Sequence, residues 1–289
     1  MDVSIIVVNY NTAHIIGDCI TAALKQKNVN YEIIVVDNAS KDNSLAVLAN
    51  FQDQITCIAN PNNSGFGPAN NLAFKQCQGR YIFLLNPDAV LQTENDLATL
   101  VAYMDQHKKC GVVGPQVIKN QRCTPPQTVY PGQKYAKNTF ANLPGTIAWI
   151  IGACMLIRAA AFQAIGGFDE DYFLYAEETD LCLRLRKAGW EIGYLSNIVV
   201  NHIGGASEKN TATAELWRKK QNGILLFYKK NYPTAAATKI VKKNRLRAQF
   251  RVWLLQLKKV LGRHNATDAA KLIRYQVVAQ SAQEFLRKI

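Results

Sequence analysis

Four short apolar runs alternating with helix-like patterns constrain this chain more than any other feature. Residues 3–8 (VSIIVV) form a near-continuous β-branched run of the kind a strand buried on both faces requires, broken by Asn9, Tyr10, Asn11 and Thr12. Ile15, Ile16, Cys19, Ile20, Ala23 and Leu24 then fall on one face of a helix. A second run at residues 32–36 ends in Asp37, Asn38, Ala39 and Ser40, and a helix is expected over about 43–50. Residues 55–59 read as a third strand. A Gly65-Phe66-Gly67-Pro68 turn leads into a helix over about 69–77, and residues 80–85 form a fourth strand closed by Asn86, Pro87 and Asp88. Strands and helices joined by short connections predict a parallel α/β sheet. In such sheets the chemistry lies beyond the carboxyl ends of the strands. The polar clusters after Val8, Val36 and Leu85 all fall there.

Beyond these strands the pattern loosens. Residues 119–146 are rich in Pro, Gly, Asn, Gln and Lys and read as a long loop. Regular structure resumes over 148–158, three glycine-bounded elements follow up to Gly205, and the composition turns basic and helical from about Thr213. The expected division is a domain over 1–212 and a helical region over 213–289. With 289 residues, 48% of them hydrophobic, there is enough for one substantial core and an appendage. No run approaches the roughly 18 apolar residues of a membrane span. The first apolar run follows Asp2 with no basic segment before it, so no signal peptide is expected and the cytoplasm is the expected compartment. The seven scattered cysteines then read as free thiols.

Three clusters carry candidate chemistry. A carboxylate just past a buried strand, such as Asp37 or Asp88, can hydrogen-bond a nucleoside or ligate a metal, and a nucleoside diphosphate needs both services. Asn86, Pro87 and Asp88 are equally the residues of a plain turn. Glu177, Glu178 and Asp180 crowd the start of a helix next to aromatics. Crowding raises a carboxyl pKa, which suits a general base working near neutral pH. Acids also simply favour a helix N-terminus, and Arg184, four residues on, can pair with Asp180. His202, after a later apolar run, can bind a metal or a phosphate, or be a structural histidine.

The order of these blocks resembles family 2 glycosyltransferases of the GT-A fold, in particular the bacterial rhamnosyltransferase-like branch. The matching segments are residues 3–11 (VSIIVVNYN), 32–40 (EIIVVDNAS), 63–71 (NSGFGPANN) and 85–88 (LNPD). After them come 152–158 (GACMLIR), 166–170 (GGFDE), 177–184 (EETDLCLR), and His202 with 204–207 (GGAS). The resemblance covers about residues 1–207. It implies a mixed, mostly parallel sheet flanked by helices, with a C-terminal helical extension. It also implies inverting transfer of a sugar, L-rhamnose from dTDP-L-rhamnose or a sugar from a UDP donor, onto a glycan or polyprenyl-diphosphate-linked saccharide in cell-surface polysaccharide synthesis.

Residue by residue, Asn9, Asn11, Asp37, Asn38, Gly65, Asn70 and Asn86 match donor-binding positions. The segment Asn86-Pro87-Asp88 matches the family's D-x-D motif, with Asp88, and His202 beside it, binding Mn2+ or Mg2+. Asn86 stands where that motif has its first acid. Glu177-Glu178 matches the family's E-D pair, whose second acid is the base. Glu178 is therefore the expected base and Glu177 the runner-up. Arg158 and residues 166–169 match acceptor-side and structural elements.

The last quarter lies outside the resemblance. Lys and Arg total 34 against 21 Asp and Glu, and fourteen of the 34 lie in residues 216–267, which contain no acid. The rest of the chain is close to neutral. Leu246, Phe250, Trp253, Leu257 and Val260 recur at helical spacing among these cations, as in a helix lying on an anionic membrane. Docking on the catalytic domain, or on a second copy in a homodimer, would use the same stripe. Leu272, Ile273, Val277, Val278, Phe285 and Leu286 mark a second helix and suggest a helical hairpin. Nucleic acid would explain the basic tail but leaves the acids idle, and no nucleic-acid module is present. A non-catalytic membrane scaffold would leave them idle too. A dinucleotide oxidoreductase needs a glycine-rich turn where Asn9-Tyr10-Asn11-Thr12 stands. The expected location is peripheral, at the inner face of the plasma membrane.

Overall fold

A computed structural model of the chain describes residues 1–119, 121–206, 213–263 and 265–289. It divides into two compact units. The first comprises Met1–Tyr130, Asn142–Phe173 and Glu177–Ser207. The second comprises Glu208–Ile289 together with Pro131–Ala141 and Leu174–Ala176. Ser207 and the expected boundary at 212 lie outside the described residues.

The first unit is built on β1 (Val3–Asn9), α1 (Ile16–Leu24), β2 (Tyr31–Asp37), α2 (Ser44–Ala49), β3 (Thr56–Ala59), α3 (Phe66–Phe74), β4 (Tyr81–Leu85) and β5 (Ala89–Leu91). It continues through α4 (Asp96–Gln106), β6 (Cys110–Lys119), β7 (Arg122–Thr124), β8 (Cys154–Arg158), α5 (Ala159–Ala164), α6 (Glu177–Lys187) and β9 (Glu191–His202). The strands form one sheet ordered β3-β2-β1-β4-β8-β6-β9-β5, with β7 paired to β6. The first four expected strands are present and parallel, with Ile5 opposite Ile33 and Phe83. The sheet is mixed because β8 enters antiparallel between β4 and β6, and β5 and β7 pair antiparallel with β9 and β6.

The apolar runs are continuous because both faces of the sheet are covered. Ile5, Val7, Ile33, Val35 and Phe83 face one core with Ile16, Cys19 and Ile20 of α1 and Leu97 and Leu100 of α4. Their neighbours Ile6, Val8, Ile34, Val36 and Ile82 face the other, with Ala69 and Ala73 of α3, Phe162 of α5 and Leu181 of α6. A register slip of one residue would exchange the two cores, so the strands are strongly fixed.

Two expectations are corrected in detail. The helix read over 69–77 begins at Phe66, because Gly65 rather than Pro68 ends the preceding extended segment. The stretch 119–146 is not all loop: it opens on the last residue of β6 and on β7, and contains a 3-10 turn at Gln133–Tyr135.

The second unit is helical: α7 (Thr213–Asn231), α8 (Thr234–Val260) and α9 (Ala266–Leu286). The expected hairpin is present, since α8 and α9 pack along one another. Phe140, Phe227, Tyr228 and Tyr232 form an aromatic core there, with edge-on pairs at 4.9–6.3 Å.

Candidate functional site

The carboxyl ends of β1 and β2 carry a closed polar network. Asn9 Nδ2 donates to Asp37 Oδ1 at 2.7 Å and to Ser40 Oγ at 3.1 Å, while Thr12 Oγ1 donates to Asn9 Oδ1. Asp37 Oδ2 accepts from Ser40 N at 3.1 Å. Asn11 sits in the left-handed region (φ 53°), the conformation asparagine tolerates best among residues with a Cβ. It joins the two loops, its amide donating to Ser40 Oγ and its Oδ1 accepting from Lys41 N. Asn38 is a second hub. Its Nδ2 donates to Asn63 Oδ1 and to the Gly65 carbonyl, and its Oδ1 accepts from Asn60 Nδ2 and Ser64 N, all within 2.9–3.1 Å. Asn9, Asp37 and Asn38 are fully buried, so their bonds hold the loops in shape. Gly65 is required here: its φ is 91°, and a Cβ would collide with the Phe173 carbonyl oxygen, which Phe66 N reaches at 2.9 Å. Asn70 is buried on α3 with its Nδ2 donating to the Phe66 carbonyl at 2.8 Å.

The ends of β4 and β9 carry a different set. Ala89 pairs with His202 across β5 and β9, which brings Asp88 alongside the His202 ring. Asp88 Oδ1 and His202 Nε2 are 3.1 Å apart. The Gly204 and Ala206 amides donate to Asp88 Oδ2 at 2.8 and 3.4 Å. Burial would raise the Asp88 carboxyl, but the His202 hydrogen bond and charge and the two amides hold it below the usual carboxylate value. Asn86 Nδ2 lies 3.5 Å from His202 Nε2. Asn86 Oδ1 and His202 Nδ1 are buried without a hydrogen-bond partner.

This donor set fits a divalent cation shared with a diphosphate. A spacing of 3.1 Å suits a hydrogen bond, and it also suits two adjacent ligands at about 2.1 Å from one ion. Among the described residues no group of three or more His, Cys, Asp or Glu could hold a metal by itself. Hard divalent ions are commonly bound by one or two carboxylates and complete their shell with substrate phosphates and water.

The first turn of α6, which carries Glu177 and Glu178, packs close to the same edge. Asn86 N donates to the Ala153 carbonyl at 2.9 Å, and the adjacent Gly152 lies so close to α6 that a Cβ there would stand 3.1 Å from Glu178 Cβ. Glu178 thus stands one residue from the strand end that carries Asn86. Glu177 is buried with Oε2 unpartnered. Burial, and then the neighbouring Glu178 charge, push its carboxyl well above the ordinary value. Tyr175 and Ala176, directly before α6, both have φ near +70°. Two consecutive left-handed residues with side chains cost of order 1–3 kcal/mol each, and such strain tends to cluster at functional sites. Asp180 pairs with Arg184 at 2.7 Å, and Arg184 also donates to the Ile165 and Gly167 carbonyls, so both are structural. Arg158 is likewise committed to the Met104 and Cys110 carbonyls.

Sequence reasoning missed several participants. Ser40, Asn60, Asn63 and Ser64 complete the first network, and the density of Asn and Ser over 60–64 was the available signal. The Gly204 and Ala206 amides act through the backbone, which residue identity does not reveal. Lys119 ends β6 with its ammonium lying over Gly204, where a Cβ would fall on it. All seven cysteines are free.

Comparison with known proteins shows the family and the fold. Residues 4–166, more than half of the chain, match the family described as Glycosyl transferase family 2. An uncharacterized glycosyltransferase of Rickettsia prowazekii is 30% identical over 219 residues, covering 74% of this chain and 68% of that protein. The N-acetylglucosaminyl-diphospho-decaprenol L-rhamnosyltransferase of Mycobacterium tuberculosis is 25% identical over 207 residues, covering 59% of this chain and 66% of that one. Among solved structures, mannosyltransferase PcManGT from Pyrobaculum calidifontis, in complex with GDP-Man and Mn2+, superposes with a TM-score of 0.63 at 16% identity, covering 99% of this chain and 87% of that one. That likeness shows the fold, a GT-A arrangement.

Proposed function

The chain belongs to glycosyl transferase family 2, and from that premise we propose that it transfers L-rhamnose from dTDP-L-rhamnose, with inversion, onto a lipid-linked saccharide. The observation that carries this is the close approach of Glu178 to Gly152, the neighbour of Ala153, whose carbonyl accepts from Asn86 N at the strand end. A base and a diphosphate site on one edge are what displacement at a sugar C1 requires. The rhamnosyltransferase of Mycobacterium tuberculosis, named for L-rhamnose and a diphospho-decaprenol acceptor, supports this sugar and this class of acceptor. With such an acceptor, the enzyme works in cell-surface polysaccharide synthesis at the inner face of the plasma membrane.

The network of Asn9, Asn11, Asp37 and Asn38 cradles the nucleoside, with Asn9 holding Asp37 in place. Gly65 and Asn70 set the floor of that cradle. Asn86, whose Oδ1 is buried without a partner, contacts the donor. Asp88 and His202 would hold Mn2+ or Mg2+, and a cation there would supply charge to neutralise the leaving diphosphate. Lys119 adds a second positive charge over Gly204. Glu178 takes the proton of the acceptor hydroxyl as that oxygen bonds to C1, and the bond from C1 to the diphosphate oxygen breaks. The bonding electrons leave with dTDP, and the proton stays on Glu178. Glu177 stays protonated beside it, which keeps a second negative charge away from the base.

A panel of dTDP-, UDP- and GDP-sugars, offered with an isoprenyl-diphosphate N-acetylglucosamine acceptor in Mn2+ or in EDTA, tests this. We expect metal-dependent release of dTDP from dTDP-L-rhamnose alone. Release from a UDP-sugar instead would move the donor assignment, and metal-independent release would remove the cation role.

A further inference from the structure

Helix α8 carries two apolar faces, and its own unit uses one of them. Ala237, Ile240, Val241, Ala248 and Leu255 are buried. On the opposite side Leu246, Phe250, Trp253, Leu257 and Val260 stand 65%, 57%, 56%, 43% and 83% exposed. Their spacing of four, three, four and three residues keeps them on one line along the helix, about 21 Å long. The Phe250 and Trp253 rings stack at 5.9 Å, so the centre of the line is a continuous plate. Isolated exposed apolar residues need no explanation, but a contiguous stripe of five marks an interaction surface.

Charge decides what covers it. Residues 216–267 hold fourteen Lys or Arg and no acid. Lys243 and Arg247, beside the stripe, stand 5.0 and 5.3 Å over the Tyr135 ring, which Lys134 also faces at 5.1 Å. A second copy of α8 laid on this stripe would bring cation against cation along its length. An anionic bilayer matches both features, taking the apolar stripe at the acyl boundary and the cations among the phosphates. Crossing the bilayer is not required of α8: no described helix is long and apolar enough to span one.

We propose that the outward face of α8 is a membrane-docking surface that lies in the plane of an anionic bilayer, with Phe250 and Trp253 as its central anchors. It suits a lipid-linked acceptor but does not rest on one, because docking is measured without donor or turnover. The test is co-sedimentation of the full chain with vesicles of phosphatidylcholine alone or mixed with phosphatidylglycerol. Binding is expected only to the mixed vesicles, weakening as salt rises. The Phe250→Glu/Trp253→Glu variant is expected to bind at least roughly tenfold more weakly. Its melting temperature should be unchanged, since both side chains are exposed. If that variant unfolds, Lys242→Glu/Arg251→Glu, which leaves the stripe intact, should lose the preference for phosphatidylglycerol. No binding by the wild type, equal binding to both vesicles, or binding indifferent to both variants would overturn the proposal. So would a wild-type dimer in light scattering that the Phe250→Glu/Trp253→Glu variant breaks while vesicle binding persists.

Discussion

The two ends of the sheet edge treat their polar groups in opposite ways. Beyond β1 and β2, the buried side chains of Asn9, Asp37 and Asn38 are all engaged, largely with the short polar loops around them. Beyond β4 and β9, and on the first turn of α6, Asn86 Oδ1, His202 Nδ1 and Glu177 Oε2 are buried with no partner. Each such atom costs about 1–3 kcal/mol. The first end is therefore built to keep its shape. The second withholds stability at groups that a diphosphate, a cation and an acceptor can satisfy. Substitutions at the first end should be felt as lost stability, and at the second as lost turnover.

The sharpest way to break this contrast is Glu178→Gln. We expect turnover to fall by about 10³ or more, while donor affinity by calorimetry and the melting temperature barely move. Wild-type turnover would remove Glu178 as the base. Asp88→Asn comes next: kcat should drop by roughly 10²–10³ and stimulation by Mn2+ should vanish. Gly152→Ala places a Cβ 3.1 Å from Glu178 Cβ, and displacing the base by a few tenths of an ångström should cost about tenfold in kcat with KM unchanged.

At the other end, Asn38→Ala strands the groups it bridges and should cost about 1–3 kcal/mol, read as a lower melting temperature before any change in kcat. The smallest effect is the most diagnostic of withheld stability. Glu177 keeps its proton in the folded chain but ionises near 4.5 when unfolded, so stability falls as pH rises above about 4.5. Glu177→Gln should then raise the melting temperature at pH 7 and leave it unchanged below pH 4.5. A lower melting temperature at pH 7 would show that the carboxyl is paired.

The parallel half of the sheet was legible because burial on both faces leaves an unbroken apolar run, and polar clusters mark where each run ends. Strand direction was not legible. Nothing in residues 154–158 says that β8 runs antiparallel between β4 and β6. The three-residue β5 is too short for a periodicity to register, yet its pairing with β9 is what sets Asp88 against His202. Asn9, Asp37, Asn38, Asn86, Asp88 and His202 could be read as candidates by their type and their place at or just past a strand end, whereas Glu177 and Glu178 stood out as crowded acids opening a helix. Their division into held and unsatisfied groups depends on loop partners such as Asn60, Asn63 and the Gly204 amide, which spacing along the chain cannot supply. Helix α8 read as having one apolar stripe because its buried face relies partly on alanines, Ala237 and Ala248, which contribute little to an apolar pattern.

The most direct test of the contrast is anomalous scattering from crystals grown with Mn2+ and dTDP. We expect one manganese peak within coordination distance of Asp88 and His202, with the diphosphate on its far side and the Asn9–Asp37–Asn38 network unmoved. A peak elsewhere, or a nucleotide that binds only by rearranging that network, would contradict the division of the edge into a preformed half and a half completed by its ligands.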